Sequence, residues 1–106
     1  MTPADATGPA ILTVGTDSAL LQTRQLVLQH AGYEATTAHI IDSEHELSHG
    51  KFELLVLCSM LTEDERNKIL GYAPRSLPSL SLHGLTSPEE LLGLVSQRLK
   101  RSAVSA

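Results

Sequence analysis

Phe52-Glu53-Leu54-Leu55-Val56-Leu57-Cys58 is the stretch that decides the fold of this chain. An apolar run closing on a polar residue is the pattern of a strand buried on both faces of a parallel sheet. In such sheets chemistry gathers beyond the carboxyl ends of the strands. Cys58, closing this run, is therefore the first candidate for a functional residue.

Upstream of that run, Ala10-Ile11-Leu12-Thr13-Val14 reads as a short strand halted at Gly15. Asp17 or Ser18 can cap a helix running to about Ala31, with Leu20, Leu21, Val27 and Leu28 on one face and Gly32 as its stop. Tyr33 to Ala38 reads as a half-polar strand, and Asp42 or Ser43 opens a helix that ends at Gly50. Downstream, Thr62-Glu63-Asp64-Glu65 is a capping box that opens a helix to about Tyr72. Pro74 and Pro78 bracket a loop, and Ser79-Leu80-Ser81-Leu82 alternates as a strand with one wet face would. Ser87-Pro88-Glu89-Glu90 combines an N-cap, a proline at the first helical position and a capping-box glutamate. The helix it opens carries Leu91, Leu92, Val95 and Leu99 at helical spacing.

Strand and helix alternate four times. The fold class is α/β: a three-layer sandwich with a parallel sheet of four strands, five at most, covered by helices on both faces. The serines of the last strand place it at an edge, since a central parallel strand is apolar on both sides.

Size and composition bound the function. The 106 residues suffice for one small domain with a single core. With one Phe, two Tyr and no Trp, that core is aliphatic. A formal net charge of -4 argues against nucleic acid as a partner. The basic residues Arg98, Lys100 and Arg101 end a helix, where they complement its dipole. A single cysteine allows no disulfide within the chain and suits a reducing compartment. No apolar run approaches membrane-spanning length, and residues 1–9 do not read as a signal peptide. The expectation is a cytoplasmic protein with a disordered segment 1–9, a domain over 10–101 and a flexible tail over 102–106.

The order of these segments resembles the receiver domain of bacterial two-component response regulators. Ile11 to Leu21 is similar to that family's first strand and helix start, and Ala31-Gly32-Tyr33-Glu34-Ala35 to its turn into the second strand. Phe52 to Leu61 resembles the strand that carries the phosphorylated aspartate, and Ser87 to Leu92 the start of the closing helix. The resemblance implies a flavodoxin-like receiver fold, truncated here by about one strand-helix unit.

The same resemblance implies that the phosphorylation site is degenerate. The family's two metal-binding acids fall on Gly15 and Thr16, with Asp17 following, and its phospho-acceptor falls on Cys58. Its switch hydroxyl and its lysine both fall near Ser81-Leu82-His83-Gly84, where there is no lysine. In-line phosphoryl transfer needs a nucleophilic oxygen, a metal and a cation for the phosphoryl oxygens. A pseudo-receiver acting through protein-protein interaction is the expected function, with no enzymatic activity and no cofactor. A homodimer paired through the open edge strand is a further expectation.

Two constellations compete with that reading. His45-Glu46-Leu47-Ser48-His49 matches the zinc-protease pattern, in which histidines four apart bind zinc and the glutamate serves as general base. Gly50 follows at once, and a third ligand would have to be Glu63, Glu65 or His83. We read His45 and His49 as solvent-facing. The other possibility is a redox or metal sensor in which Cys58 meets His39 and His83 along the carboxyl edge. Against it, a free cysteine usually fills a small buried gap.

Overall fold

The run through Leu57 becomes the centre of the molecule because nothing on it needs water. Leu54, Leu55, Val56 and Leu57 are all fully buried, and they form β3 (Leu54–Leu57). The computed structural model describes residues 8–82 and 86–104, with the side chains of 101–104 left aside. Within it β1 (Ala10–Gly15) lies beside β3, pairing Leu12 with Leu55 and Val14 with Leu57. The outer strands are β2 (Glu34–His39) and β4 (Ser79–Ser81), and the parallel sheet runs in the order β2-β1-β3-β4. The two central strands are apolar apart from Thr13 in β1, and the two edges are half polar, as their serines and threonines require.

Four helices cover the sheet: α1 (Ser18–His30), α2 (Ser43–His49), α3 (Glu63–Tyr72) and α4 (Pro88–Val104). Because strand side chains alternate, each face of the sheet has its own core. Ile11, Leu54, Val56, Leu80 and Leu82 pack with Leu28 of α1 and with Leu91 and Val95 of α4. Leu12, Val14, Leu55 and Leu57 pack with Leu47 of α2 and Ile69 of α3. Burial of a side chain such as Leu91 or Val95 contributes on the order of 1.5–3 kcal/mol, and it is this that holds α4 to the sheet.

Local signals set the helix ends. The Thr62–Glu65 capping box is complete, with the Thr62 hydroxyl accepting from the Glu65 N–H at 3.1 Å and the Glu65 carboxylate from the Thr62 N–H at 2.9 Å. Ser87 and Glu90 make the same reciprocal pair at the start of α4. After α1 the chain turns through Gly32, whose φ of 99° suits a residue without Cβ.

Several sequence boundaries move. β3 begins at Leu54 rather than Phe52, since Glu53 is exposed and Phe52 folds over against the α2/α3 core. β4 ends at Ser81, although the Leu82 N–H still bonds to the Leu57 carbonyl at 2.9 Å. At the end of segment 1–9, Gly8 donates to the Gly32 carbonyl and Pro9 accepts from the Glu34 N–H. Residues 1–7 of that segment lie outside the described residues. α4 continues to Val104, into the stretch 102–106 expected to be a flexible tail.

Candidate functional site

The carboxyl edge of the sheet is where β1 and β3 end side by side. The Cys58 N–H donates to the Val14 carbonyl at 3.0 Å, so the ladder runs one residue past β3 and fixes Cys58 opposite Gly15. Cys58 is only 2 % exposed. A Cβ on Gly15 would lie 3.0 Å from the Cys58 sulfur and 3.1 Å from its Cβ, so the close approach depends on glycine. The next residues are exposed: Thr16 carries no carboxylate, and Asp17 turns its own back onto α1. Asp17 Oδ1 accepts from the Ala19 and Leu20 N–H groups at 3.0 and 3.2 Å, the geometry of an N-cap.

A guanidinium reaches the sulfur from below. The buried residues of α1 are Leu21, Arg24 and Leu28, so an arginine stands on the helix's apolar stripe. Arg24 is 5 % exposed, and its Nη1 donates to Cys58 Sγ at 3.4 Å. Burial pushes the Cys58 thiol up from its ordinary value; the charge and hydrogen bond of Arg24 pull it partly back, and the Asp17 charge adds to the rise. Thr13 belongs to the same face of β1 as Ile11 and Gly15, the α1 side. Its hydroxyl is buried with no hydrogen-bond partner among the described residues.

A second arginine ties the strand ends together. Arg66 Nη2, from the first turns of α3, donates to the Leu82 carbonyl at 3.1 Å and more weakly to the Cys58 and Ser59 carbonyls at 3.4 and 3.5 Å. One cation thus clamps the ends of β3 and β4 through charge-assisted bonds. The Arg66 Nε is buried without a partner among the described residues.

Of the other residues singled out from sequence, the described ones stand apart from this cluster. His39 ends β2, separated from β3 by β1, and its Nδ1 accepts from the Ile41 N–H at 3.3 Å. His83 lies outside the described residues. His45 and His49 are exposed on α2 and stack on one another at 4.2 Å, with His49 Nδ1 against the His45 carbonyl at 2.9 Å. Glu65, one of the third ligands considered for them, is held in the α3 capping box. Among the described residues no group of three or more His, Cys, Asp or Glu is placed to hold a metal ion.

Arg24 and Arg66 were not among the residues expected at the site. Arg24 carried a signal: it is three residues after Leu21 and four before Leu28, a core position of α1. Arg66 carried none, because its three carbonyl acceptors come together only when β3, β4 and α3 are assembled.

No family model matches the chain, and no curated protein sequence matches it. Solved structures do. A CheY-like response regulator receiver domain protein from Methanospirillum hungatei JF-1 superposes with a TM-score of 0.68 at 14 % identity, over 92 % of this chain and 98 % of that one. The signal receiver domain of a Luxo repressor protein from Vibrio parahaemolyticus gives 0.62 at 12 % identity, over 92 % of this chain and 94 % of that one. The chain has the CheY-like receiver fold, with four parallel strands and four helices. None of the described helices is long and apolar enough to cross a membrane.

Proposed function

We propose that this chain is a receiver-like signalling module that works by binding a protein partner and does not accept phosphate on an aspartate. The observation that carries the reading is the residue closing β3: a buried thiol set against a guanidinium. The end of β1 beside it supplies Gly15 and Thr16, and the Asp17 carboxylate caps α1. Such a site lacks the oxygen nucleophile, and one engaged carboxylate is a poor magnesium ligand set. It carries no enzymatic activity in this reading and needs no cofactor.

The test is intact-mass measurement after incubation with magnesium and acetyl phosphate. The mass stays unchanged in this reading; a stable, acid-labile phosphoryl adduct overturns it.

Two surfaces suit a partner. A shallow apolar depression of about 450 Å³ is lined by Leu26, Val27, His30 and Ala31 of α1 and the adjoining turn, with Pro88 and Leu92 of α4. Leu26 in its lining is 59 % exposed, and Leu94 on α4 is 39 % exposed. The other surface is the outer edge of β4, unpaired among the described residues. Strand alternation turns the Ser79 and Ser81 N–H groups away from β3, since the Leu82 N–H faces it. A second copy of the chain can pair there, which is the homodimer this reading includes.

A further inference from the structure

His45 and His49 carry metal-ligand chemistry that the proposed signalling role does not use. They stand four apart on α2, so both rings lie on one face of the helix, and both are exposed. The rings are 4.2 Å apart between centroids, at an interplanar angle of 28°. His49 Nδ1 sits 2.9 Å from the His45 carbonyl oxygen. A carbonyl can only accept, so Nδ1 holds the proton and the neutral ring leaves its Nε2 lone pair free. A metal-binding histidine is commonly oriented in this way, by donation from its other ring nitrogen to a carbonyl. The stretch 42–50 carries Asp42, Glu44 and Glu46 with no lysine or arginine, a local field that favours a cation.

We propose that His45 and His49 form a two-histidine site for a divalent transition-metal ion, copper(II) above all, on the solvent face of α2. Imidazole nitrogen suits copper, nickel and zinc, and copper(II) binds tightest in that series. Two nitrogens each about 2.0–2.1 Å from one ion lie roughly 3 Å apart, a spacing the exposed rings reach by turning out of their stack. His49 ligates through Nε2 and His45 through a ring nitrogen, with water in the remaining positions. Among the described residues no third ligand joins them. A catalytic zinc takes three protein ligands, so the pair is a binding site and not the hydrolytic centre that the H-E-x-x-H pattern suggests.

The ion acts on α2 itself. A helix of seven residues is too short to be stable through its own hydrogen bonds. A metal held by residues four apart spans one turn and keeps both ligands only while that turn is helical, so binding stabilises the helix by mass action. The site stands on the geometry of α2 and not on the partner-binding reading, so a phosphoryl adduct in the magnesium experiment would leave it untouched.

The experiment is calorimetric titration of the full chain, free of any histidine tag, with copper(II) and separately with zinc(II). His45→Ala, His49→Ala and the double variant are titrated alongside. Wild type should bind copper(II) more tightly than zinc(II), and each single substitution should weaken copper binding at least roughly tenfold. The electron paramagnetic resonance spectrum of the copper complex should show two coordinated imidazole nitrogens in wild type. Zinc(II) should slow amide exchange within α2 in wild type and leave it unchanged in the double variant. Equal copper affinity in wild type and the double variant would mean an adventitious ion only and overturns the proposal. So does an unchanged affinity in either single variant, or a wild-type spectrum with a single imidazole nitrogen. Both histidines are exposed and outside the core, and if a variant still fails to fold, the wild-type spectrum decides.

Discussion

Gly15 and Cys58 constrain each other at the level of single atoms. Gly15→Ala would set a methyl 3.0 Å from the Cys58 sulfur and 3.3 Å from Leu21 Cδ2, and both neighbours are buried. The expected cost is about 1–3 kcal/mol, and adding Cys58→Ala should recover part of it in a double-mutant cycle measured by chemical denaturation. Cys58 also makes stability depend on pH. Its folded value lies above the ordinary one, so the contribution is fully present below ~8.5, where both states hold the proton. As the pH rises beyond that, the unfolded chain releases a proton that the folded chain keeps, and stability falls toward the folded value. Melting curves between about pH 8 and 10 should show this decline in wild type and a shallower one in Cys58→Ala.

At the scale of elements, stability is concentrated where the strand ends are tied. Arg66 reaches three carbonyls on two segments, so Arg66→Met should cost about 1.5–3 kcal/mol and raise amide exchange around Leu82. Thr62→Ala removes one half of the capping box that aims Arg66, with an expected loss of about 1 kcal/mol in a denaturant titration. The two losses should be non-additive, since both act by loosening the same α3 start. By contrast α2 buries only Ser43 and Leu47, and its two stacked histidines face outward. At seven residues it is the shortest of the four helices and should be the first to exchange its amide protons.

For the whole molecule, the four-strand order leaves β4 as an edge of three residues. Sedimentation equilibrium should show self-association at high concentration, and Ser81→Pro should abolish it by removing an outward N–H without touching the β3 ladder. A wild-type chain that stays monomeric throughout would refute the edge-paired homodimer. α1 and α4 share one face of the sheet while α2 and α3 share the other, so changes at α4 are felt by the core that also holds Leu28, one turn from Arg24.

Element order, the buried central strand, the edge position of β4 and both capping boxes were legible in residues 10–101 because each is a local pattern. Apolar periodicity, N-cap chemistry and half-polar strands report on the immediate chain neighbourhood. The same is true of Cys58 as the residue closing β3. What surrounds Cys58 was not legible. His39 had been a candidate neighbour and is one strand removed, because β1 intervenes in the sheet. The partner turned out to be Arg24, from a helix thirty-four positions earlier in sequence, and the adjoining clamp is Arg66. Sequence spacing carries no information about which helix face meets which strand end. Only packing both faces of the sheet decided that a guanidinium would sit against the thiol.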